Sequence, residues 1–224
     1  MNDRTSYSIV RYAWRHVLCP VVLLLVVASC NGQIKTSPSG DPAKITRATI
    51  VRTKGISSGA VMCALQDKDG NLWFRIDGEG AYRFDGTSFV NFTTTDGLCS
   101  DKVSAIIQDK EGRYLFGTDK GICVYDGKSF SDHPATKTLH GAGITCLLED
   151  TDGNLWFTTE NDGVWRYDGK SIRNFTEKDG LVDDAAMSAL EDKDGNLWFG
   201  TKWFGLSRYD GKTFTTFSRE EAGN

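Results

Sequence analysis

One stretch of eight residues occurs four times along this 224-residue chain. Asp67-Lys-Asp-Gly-Asn-Leu-Trp-Phe74 recurs as Asp109-Lys-Glu-Gly-Arg-Tyr-Leu-Phe116, as Asp150-Thr-Asp-Gly-Asn-Leu-Trp-Phe157 and as Asp192-Lys-Asp-Gly-Asn-Leu-Trp-Phe199. Its glycines, Gly70, Gly112, Gly153 and Gly195, are spaced 42, 41 and 42 residues apart. A second landmark keeps the same phase: Phe84-Asp-Gly86, Tyr125-Asp-Gly127, Tyr167-Asp-Gly169 and Tyr209-Asp-Gly211. A third appears as Asp96-Gly-Leu98 and Asp179-Gly-Leu181, with a weaker echo at Gly55-Ile56. A fixed period of this length marks units that bury their apolar faces against one another.

Each unit reads as four short strands. In the first these are Val61 to Gln66, Leu72 to Ile76, Ala81 to Phe84 and Phe89 to Phe92. Asp85-Gly86 predicts a two-residue hairpin of type I′, which needs a residue at positive φ. Four strands in 40–45 residues is the pattern of a β-propeller blade. The predicted fold is therefore all-β, a propeller of four four-stranded blades over residues 49–218. The 24 glycines mark turns, and only 4 prolines exclude a Pro-rich linker or a collagen-like chain.

The Gly-His and Trp-Asp marks of WD40 blades are missing. The motifs D-K-D-G-N-L-W-F-G-T and R-Y-D-G-K instead resemble the two-component regulator propeller repeat. That resemblance covers residues 49 to 218 and implies an extracytoplasmic sensor blade. Unit two departs most, with Leu115 in place of Trp and Val124 where Arg83, Arg166 and Arg208 stand.

Four sets of inner strands face five candidate outer strands: Thr49–Thr53, Phe89–Phe92, Phe130–His133, Ile172–Phe175 and Phe214–Phe217. The favoured arrangement is a ring of four blades with Thr49–Thr53 beside the last blade or capping an edge. The alternative is an open arc completed by a second copy, as a homodimer.

The N-terminus reads as a targeting segment. Arg4, Arg11, Arg15 and His16 precede an apolar run from Val17 to Val27, which ends in Val27-Ala28-Ser29-Cys30. Basic residues, a short apolar run and small residues define a secretory signal over 1–29. The run is too short to span a bilayer. The tetrad resembles the lipobox of bacterial lipoproteins, which implies that Cys30 becomes the acylated N-terminus, anchored in the outer membrane or facing the periplasm. Residues 30–48 then form the lipidated cysteine and a flexible tether, and 219–224 a tail. Removing the signal changes the net charge from −4 to −6, since three Arg and one Asp leave. A surface of that sign argues against nucleic-acid partners.

Candidate binding residues lie in the variable loops of a rigid repeat scaffold. The loops between second and third strands hold Asp77 and Glu79, Asp119, Glu160 and Asn161, and Lys202-Trp203-Phe204. Asp183 sits in the connection to the fourth unit. Trp203-Phe204 stands out because equivalent positions are polar or Gly, and such a pair beside carboxylates and amides suits an oligosaccharide. Trp73, Trp156 and Trp198 share one repeat position and read as core between blades. The shared arginines read as structural ion pairs or hydrogen bonds to a neighbouring blade. Cys63, Cys99, Cys123 and Cys146 read as packing thiols. No Cys/His cluster suggests zinc. Asp67-x-Asp69-Gly70-Asn71 has half the look of a Ca2+ loop, but lacks the closing Glu and reads as a capped hairpin.

The expected function is a non-catalytic, extracytoplasmic ligand-binding or sensory lipoprotein, glycan-related, without its own kinase or output domain and with no cofactor. A protein–protein scaffold in the envelope is the alternative. A third reading is enzymatic. The G-N-L-W-F stretches are also similar to those of streptogramin lyase propellers, a resemblance that implies a central His and Glu with magnesium. His133 and His140, the histidines after the signal, show no such pairing in sequence. Asp183-Asp184, as neighbours in extended chain, point apart.

Overall fold

The Asp-x-x-Gly-Asn motif folds as a capped turn because one carboxylate can satisfy several donors at once. The computed structural model describes residues 60–138 and 143–218. Within it, Asp67 Oδ1 accepts the N–H groups of Asp69 and Asn71, at 3.0 and 2.8 Å, and Oδ2 accepts Trp73 Nε1 at 3.0 Å. Asp150 and Asp192 make the same bond to Trp156 and Trp198, at 2.7 and 2.8 Å. Gly70 takes φ +88°, a conformation that side chains with Cβ resist. Asp, Gly, Asn and Trp therefore recur together because they are one hydrogen-bonded device. Burial pushes the Asp67 carboxyl up, but hydrogen bonds from Trp73, Asn71 and Tyr114 outweigh it and hold it below the ordinary value.

Four antiparallel sheets follow in chain order. The first blade holds β1 (Val61–Gln66), β2 (Leu72–Ile76), β3 (Ala81–Phe84) and β4 (Phe89–Phe92). The second holds β5 (Val103–Gln108), β6 (Tyr114–Thr118), β7 (Gly121–Tyr125) and β8 (Phe130–Asp132). The third holds β9 (Ile144–Glu149), β10 (Leu155–Thr159), β11 (Val164–Tyr167) and β12 (Ile172–Phe175). The fourth holds β13 (Ala186–Glu191), β14 (Leu197–Thr201), β15 (Leu206–Tyr209) and β16 (Phe214–Phe217). The strands agree with the sequence expectation, except that β8 stops one residue before His133. In every blade the register between the first two strands slips once near the start of the first strand, which increases its local twist.

The third-to-fourth-strand connections differ from expectation. Phe84 pairs with Phe89, so the loop is four residues, Asp85–Ser88, rather than two. Asp85 Oδ1 accepts the N–H groups of both Thr87 and Ser88, at 2.8 Å each, and this double cap favours the longer loop.

The blades do not close into a ring. Extensive contacts join first to second, second to third and third to fourth blade, mainly through β1, β5, β9 and β13, while the first and fourth make none of comparable extent among the described residues. The fold is an open arc, not the favoured four-bladed ring. Each seam is a separate apolar core. Trp73 and Trp156 are buried in these seams, whereas Trp198, on the free face of the last blade, is partly exposed.

Two side-chain expectations are corrected. Among the described residues, Arg83, Arg166 and Arg208 make no ion pair or hydrogen bond to a neighbouring blade. Their guanidinium carbons lie 5.8 to 6.0 Å from the tryptophan ring of their own blade, and Arg166 also donates to Asn154 at 2.9 Å. The short distance from strand to strand places each cation over the nearest ring, which attracts it. Nor are all the cysteines packing thiols: Cys99 and Cys123 form a disulfide, while Cys146 is free and buried. The leader, Cys30, the tether, Thr49–Thr53, His140 and the C-terminal tail lie outside the described residues.

Candidate functional site

Each strand pair turns on one face of the arc and opens into loops on the other. On the loop face, backbone bonds lock the loops to the connections between blades. Gly80 N–H donates to Asp101 C=O, and Gly163 N–H to Asp184 C=O, each at 2.8 Å. Lys202 N–H donates to Ala185 C=O at 2.9 Å. The connection between third and fourth blades is thus held from both sides, by Gly163 and by Lys202.

This locking sorts the nine expected binding residues into two groups. Glu160, Asn161, Asp183, Lys202, Trp203 and Phe204 gather around the connection between the third and fourth blades. Asp77, Glu79 and Asp119 belong to the first two blades. There Glu79 accepts from Tyr82 Oη at 3.2 Å, Asp119 sits 3.8 Å from Lys102 Nζ, and Asp77 is exposed. In the larger group Glu160 and Asn161 are exposed. Trp203 and Phe204 are 69 % and 63 % exposed, more than any other large apolar side chain described. Lys202 Nζ lies 5.1 Å from the centre of the Trp203 ring, a cation resting against an aromatic face.

Asp183 is different in kind. Its side chain is buried and Oδ1 accepts the Ala185 N–H at 2.9 Å. Its Oδ2 is also buried, with no hydrogen-bond donor among the described residues. Asp184 Oδ1 accepts the Glu177 N–H at 2.7 Å. The two adjacent carboxylates thus serve different turns.

The turn face carries two concave clefts that the repeat motif alone did not single out. The larger, about 360 Å3, lies between third and fourth blades and is lined by Asp150, Asn154, Arg166, Glu191 and Tyr209 among others. The smaller, about 140 Å3, lies between second and third blades, where Arg113, His133, Glu149 and Tyr167 meet. Burial pushes the His133 imidazole down to about 4, helped by the charge of Arg113 and opposed by Asp109. Burial likewise pushes the Glu149 carboxyl up. The two clefts occupy equivalent repeat positions, and the smaller lies where unit two departs from the motif, with Leu115 at the place of Trp156. No group of three or more His, Cys, Asp or Glu among the described residues could hold a metal ion.

The disulfide was also readable, had the cysteines been placed by repeat phase. Cys99 and Cys123 occupy the positions of Val182 and Ser207 in the seam between third and fourth blades. There the Val182 N–H donates to Ser207 Oγ at 2.9 Å. The same two positions touch across both seams, and in one of them both are cysteine.

The family model described as "two component regulator propeller" matches residues 55–76, 138–161 and 180–203. These are the first-hairpin regions of the first, third and fourth blades, and the irregular second blade is skipped. No curated protein matches the sequence. Among solved structures, the arc is similar to the extracellular domain of a hybrid two-component system from B. thetaiotaomicron. The TM-score is 0.63 at 23 % identity, covering 72 % of this chain and 24 % of that one. It is similar to virginiamycin B lyase from Staphylococcus aureus, in a catalytically inactive form with quinupristin. Here the TM-score is 0.58 at 20 % identity, over 75 % of this chain and 57 % of that one. PorZ, a surface component of the type-IX secretion system of Porphyromonas gingivalis, gives a TM-score of 0.51 at 16 % identity, over 70 % and 26 %. The chain spans only about a quarter of the length of the two-component relatives. At these identities the likeness is one of fold. The matched motifs and the sheets agree on one statement: three stretches of the chain match the two-component regulator propeller repeat, and each lies on the first hairpin of a four-stranded blade.

Proposed function

We propose that this propeller arc is a non-catalytic ligand-binding module of sensory type, working outside the cytoplasm and held to a membrane through acylated Cys30. The observation that carries the proposal is the exposed Lys202-Trp203-Phe204 loop. Burying an aromatic side chain is worth about 2 kcal/mol or more, so two of them left in water on a locked loop suit a surface made for contact. The ligand class is an oligosaccharide. A sugar's apolar face stacks on an indole, and Lys202, Glu160 and Asn161 offer donors and acceptors for its hydroxyls. A binding role fits the placement of the acid–base candidates better than turnover does. His133 is packed edge-on against Tyr167, with ring centroids 5.2 Å apart, and Asp183 and Asp184 are engaged as turn caps. The setting is supported by the Cys99–Cys123 disulfide, a bond that persists in oxidising compartments.

A glycan array followed by titration calorimetry tests the reading. A bound oligosaccharide whose affinity falls at least about tenfold in Trp203→Ala, a loss of about 1.4 kcal/mol, supports it. Unchanged affinity removes this loop from the site. Silence on the array, with a specific envelope protein captured instead, favours a scaffold. Metabolic labelling with a fatty acid, present in wild type and lost in Cys30→Ala, tests the anchor.

A further inference from the structure

The two ends of the arc are complementary to each other. In a repeat protein every internal seam joins the rear face of one blade to the front face of the next, using equivalent positions. Among the described residues no blade lies against the fourth blade's rear face, and its side chains show this. Leu190 is 56 % exposed, against 2 % for Leu148 at the same position in the third blade. Phe217 is 45 % exposed, against 1 % for Phe175. The first blade's front face is bare in the same way. Val61 is 45 % and Leu72 37 % exposed, against 0 % and 4 % for Ala186 and Leu197 in the fourth. Leu148, Phe175, Ala186 and Leu197 all belong to one buried core. The bare residues are therefore the two halves of a seam that the chain builds elsewhere.

The polar part of the seam is present too. Lys68 N–H donates to Gln108 Oε1 at 2.9 Å and its ammonium to Asp109 C=O at 2.8 Å. One blade on, Lys110 N–H donates to Glu149 Oε2 at 2.8 Å and its ammonium to Asp150 C=O at 2.7 Å. Lys193 holds this lysine position in the fourth blade, and its exposed ammonium rests on neighbouring Asp194 at 2.8 Å. Gln66, exposed on the first blade, holds the acceptor position of Gln108, Glu149 and Glu191.

We propose that a second copy of this chain seats its first blade on the fourth, and that the reciprocal contact closes two arcs into an eight-bladed ring. Lys193 then meets Gln66 and the Asp67 carbonyl of the other copy, as Lys68 and Lys110 meet their partners within one chain. A front-to-rear contact is heterologous, so it makes a ring only if the rotation closes. Two arcs of four blades give eight, within the range that propellers adopt.

The test uses the full-length chain extracted in mild detergent, with its protein mass read by light scattering. Two copies are expected. Leu190→Glu alone and Val61→Glu alone are each expected to give one copy with an unchanged circular dichroism spectrum, since both side chains are already exposed within one chain. Mixing the two variants is expected to restore the two-copy species: one of its two seams is then wild type on both faces, whereas each pure variant spoils both. A single-copy wild type overturns the proposal. So does a dimer broken by only one of the substitutions, a mixture that fails to associate, or an open polymer. Finding that another protein, or the residues before 60, cover β13–β16 overturns it as well.

Discussion

The seam between third and fourth blades and the seam between second and third solve one problem with two sets of residues. In the first, Trp156 stacks on Phe175 with centroids 5.5 Å apart, donates to Asp150, and carries Arg166 over its ring. In the second, Leu115 replaces the tryptophan, His133 the phenylalanine and Val124 the arginine. Asp109, with no indole to serve it, accepts instead from Arg113 Nε at 2.7 Å, and Arg113 stands where the other units have Asn. The lesson is that the motif is inherited as a set. Losing the tryptophan removes a donor, a stacking surface and a platform for a cation at once, and the second blade has changed all three dependent positions, at His133, Val124 and Arg113. The cleft beside His133 is also the smaller one, about 140 Å3 against about 360 Å3 at the equivalent positions of the regular seam.

The largest effect should come from breaking the regular seam. Trp156→Ala is expected to cost about 4 kcal/mol in denaturant unfolding, because a buried aromatic is lost and Asp150 keeps only part of its donor set. Trp156→Leu, which imports the second blade's residue alone, should cost somewhat less. Adding Asn154→Arg to it should recover about 1 kcal/mol by restoring a charged donor to Asp150. A double-mutant cycle without positive coupling would show that the two seams are unrelated rather than alternative solutions.

Next comes the covalent difference. Cys99→Ser with Cys123→Ser should lower stability by about 3 kcal/mol, the loop-closure value for a separation of 24 residues. The converse experiment is more pointed. Val182 and Ser207 occupy the same positions two seams away, so Val182→Cys with Ser207→Cys should oxidise spontaneously and raise the melting temperature. Non-reducing mass spectrometry reads the bond directly. Failure to form it would mean that the two seams differ in geometry despite their shared register.

A smaller effect separates the seams by pH. His133 is held near 4 by burial, against an ordinary 6.5. Above pH 6.5 the imidazole is neutral whether the chain is folded or not. Between 6.5 and 4 the unfolded chain takes up a proton that the folded chain refuses, so stability falls as pH falls through this window and levels off below it. Going from pH 7 to 5 should cost about 2 kcal/mol on this account. In His133→Phe, which restores the regular residue, the loss should vanish. Glu149 in the same cleft, pushed up by burial, works in the opposite direction, but it is present in both proteins and drops out of the difference. Parallel slopes for the two proteins would refute the assignment.

How much of this was legible in the sequence depended on whether the signal was periodic. Strands such as Val61–Gln66 and Ala81–Phe84 were readable because alternation and turn residues recur in phase four times. The burial of Trp73 and Trp156 followed from the same phase. What escaped was set by contacts between units, which a single unit's pattern does not display. The Asp85 double cap lengthened a hairpin whose Asp-Gly alone suggested a shorter one. The arginines turned to their own rings. Closure escaped as well: the front of the first blade and the rear of the last carry the same apolar residues as the interior, so nothing in their composition says that they are bare. For the candidate site, Trp203-Phe204 was legible as a break in the repeat, while the burial of Asp183 was not, because its neighbour Asp184 has the same chemistry and a different turn to cap.

The smallest effect is expected at a residue of the same type as the largest. Trp203 and Trp156 are both tryptophans beside a basic side chain, one over 69 % exposed ring and the other in a sealed seam. Replacing Trp203 by Ala removes little buried area and at most a solvent-exposed cation–aromatic contact, worth about 0.5–1 kcal/mol. Thermal unfolding should therefore shift by no more than a few degrees, an order that exposed substitutions seldom exceed. Against the loss expected at Trp156, this near-neutrality matters for function. On the proposed reading, a large apolar side chain that contributes so little to the fold, on a loop locked to Ala185, has its use in what it touches outside the chain. A stability loss at Trp203 comparable to that at Trp156 would reverse this and make the loop part of the packing.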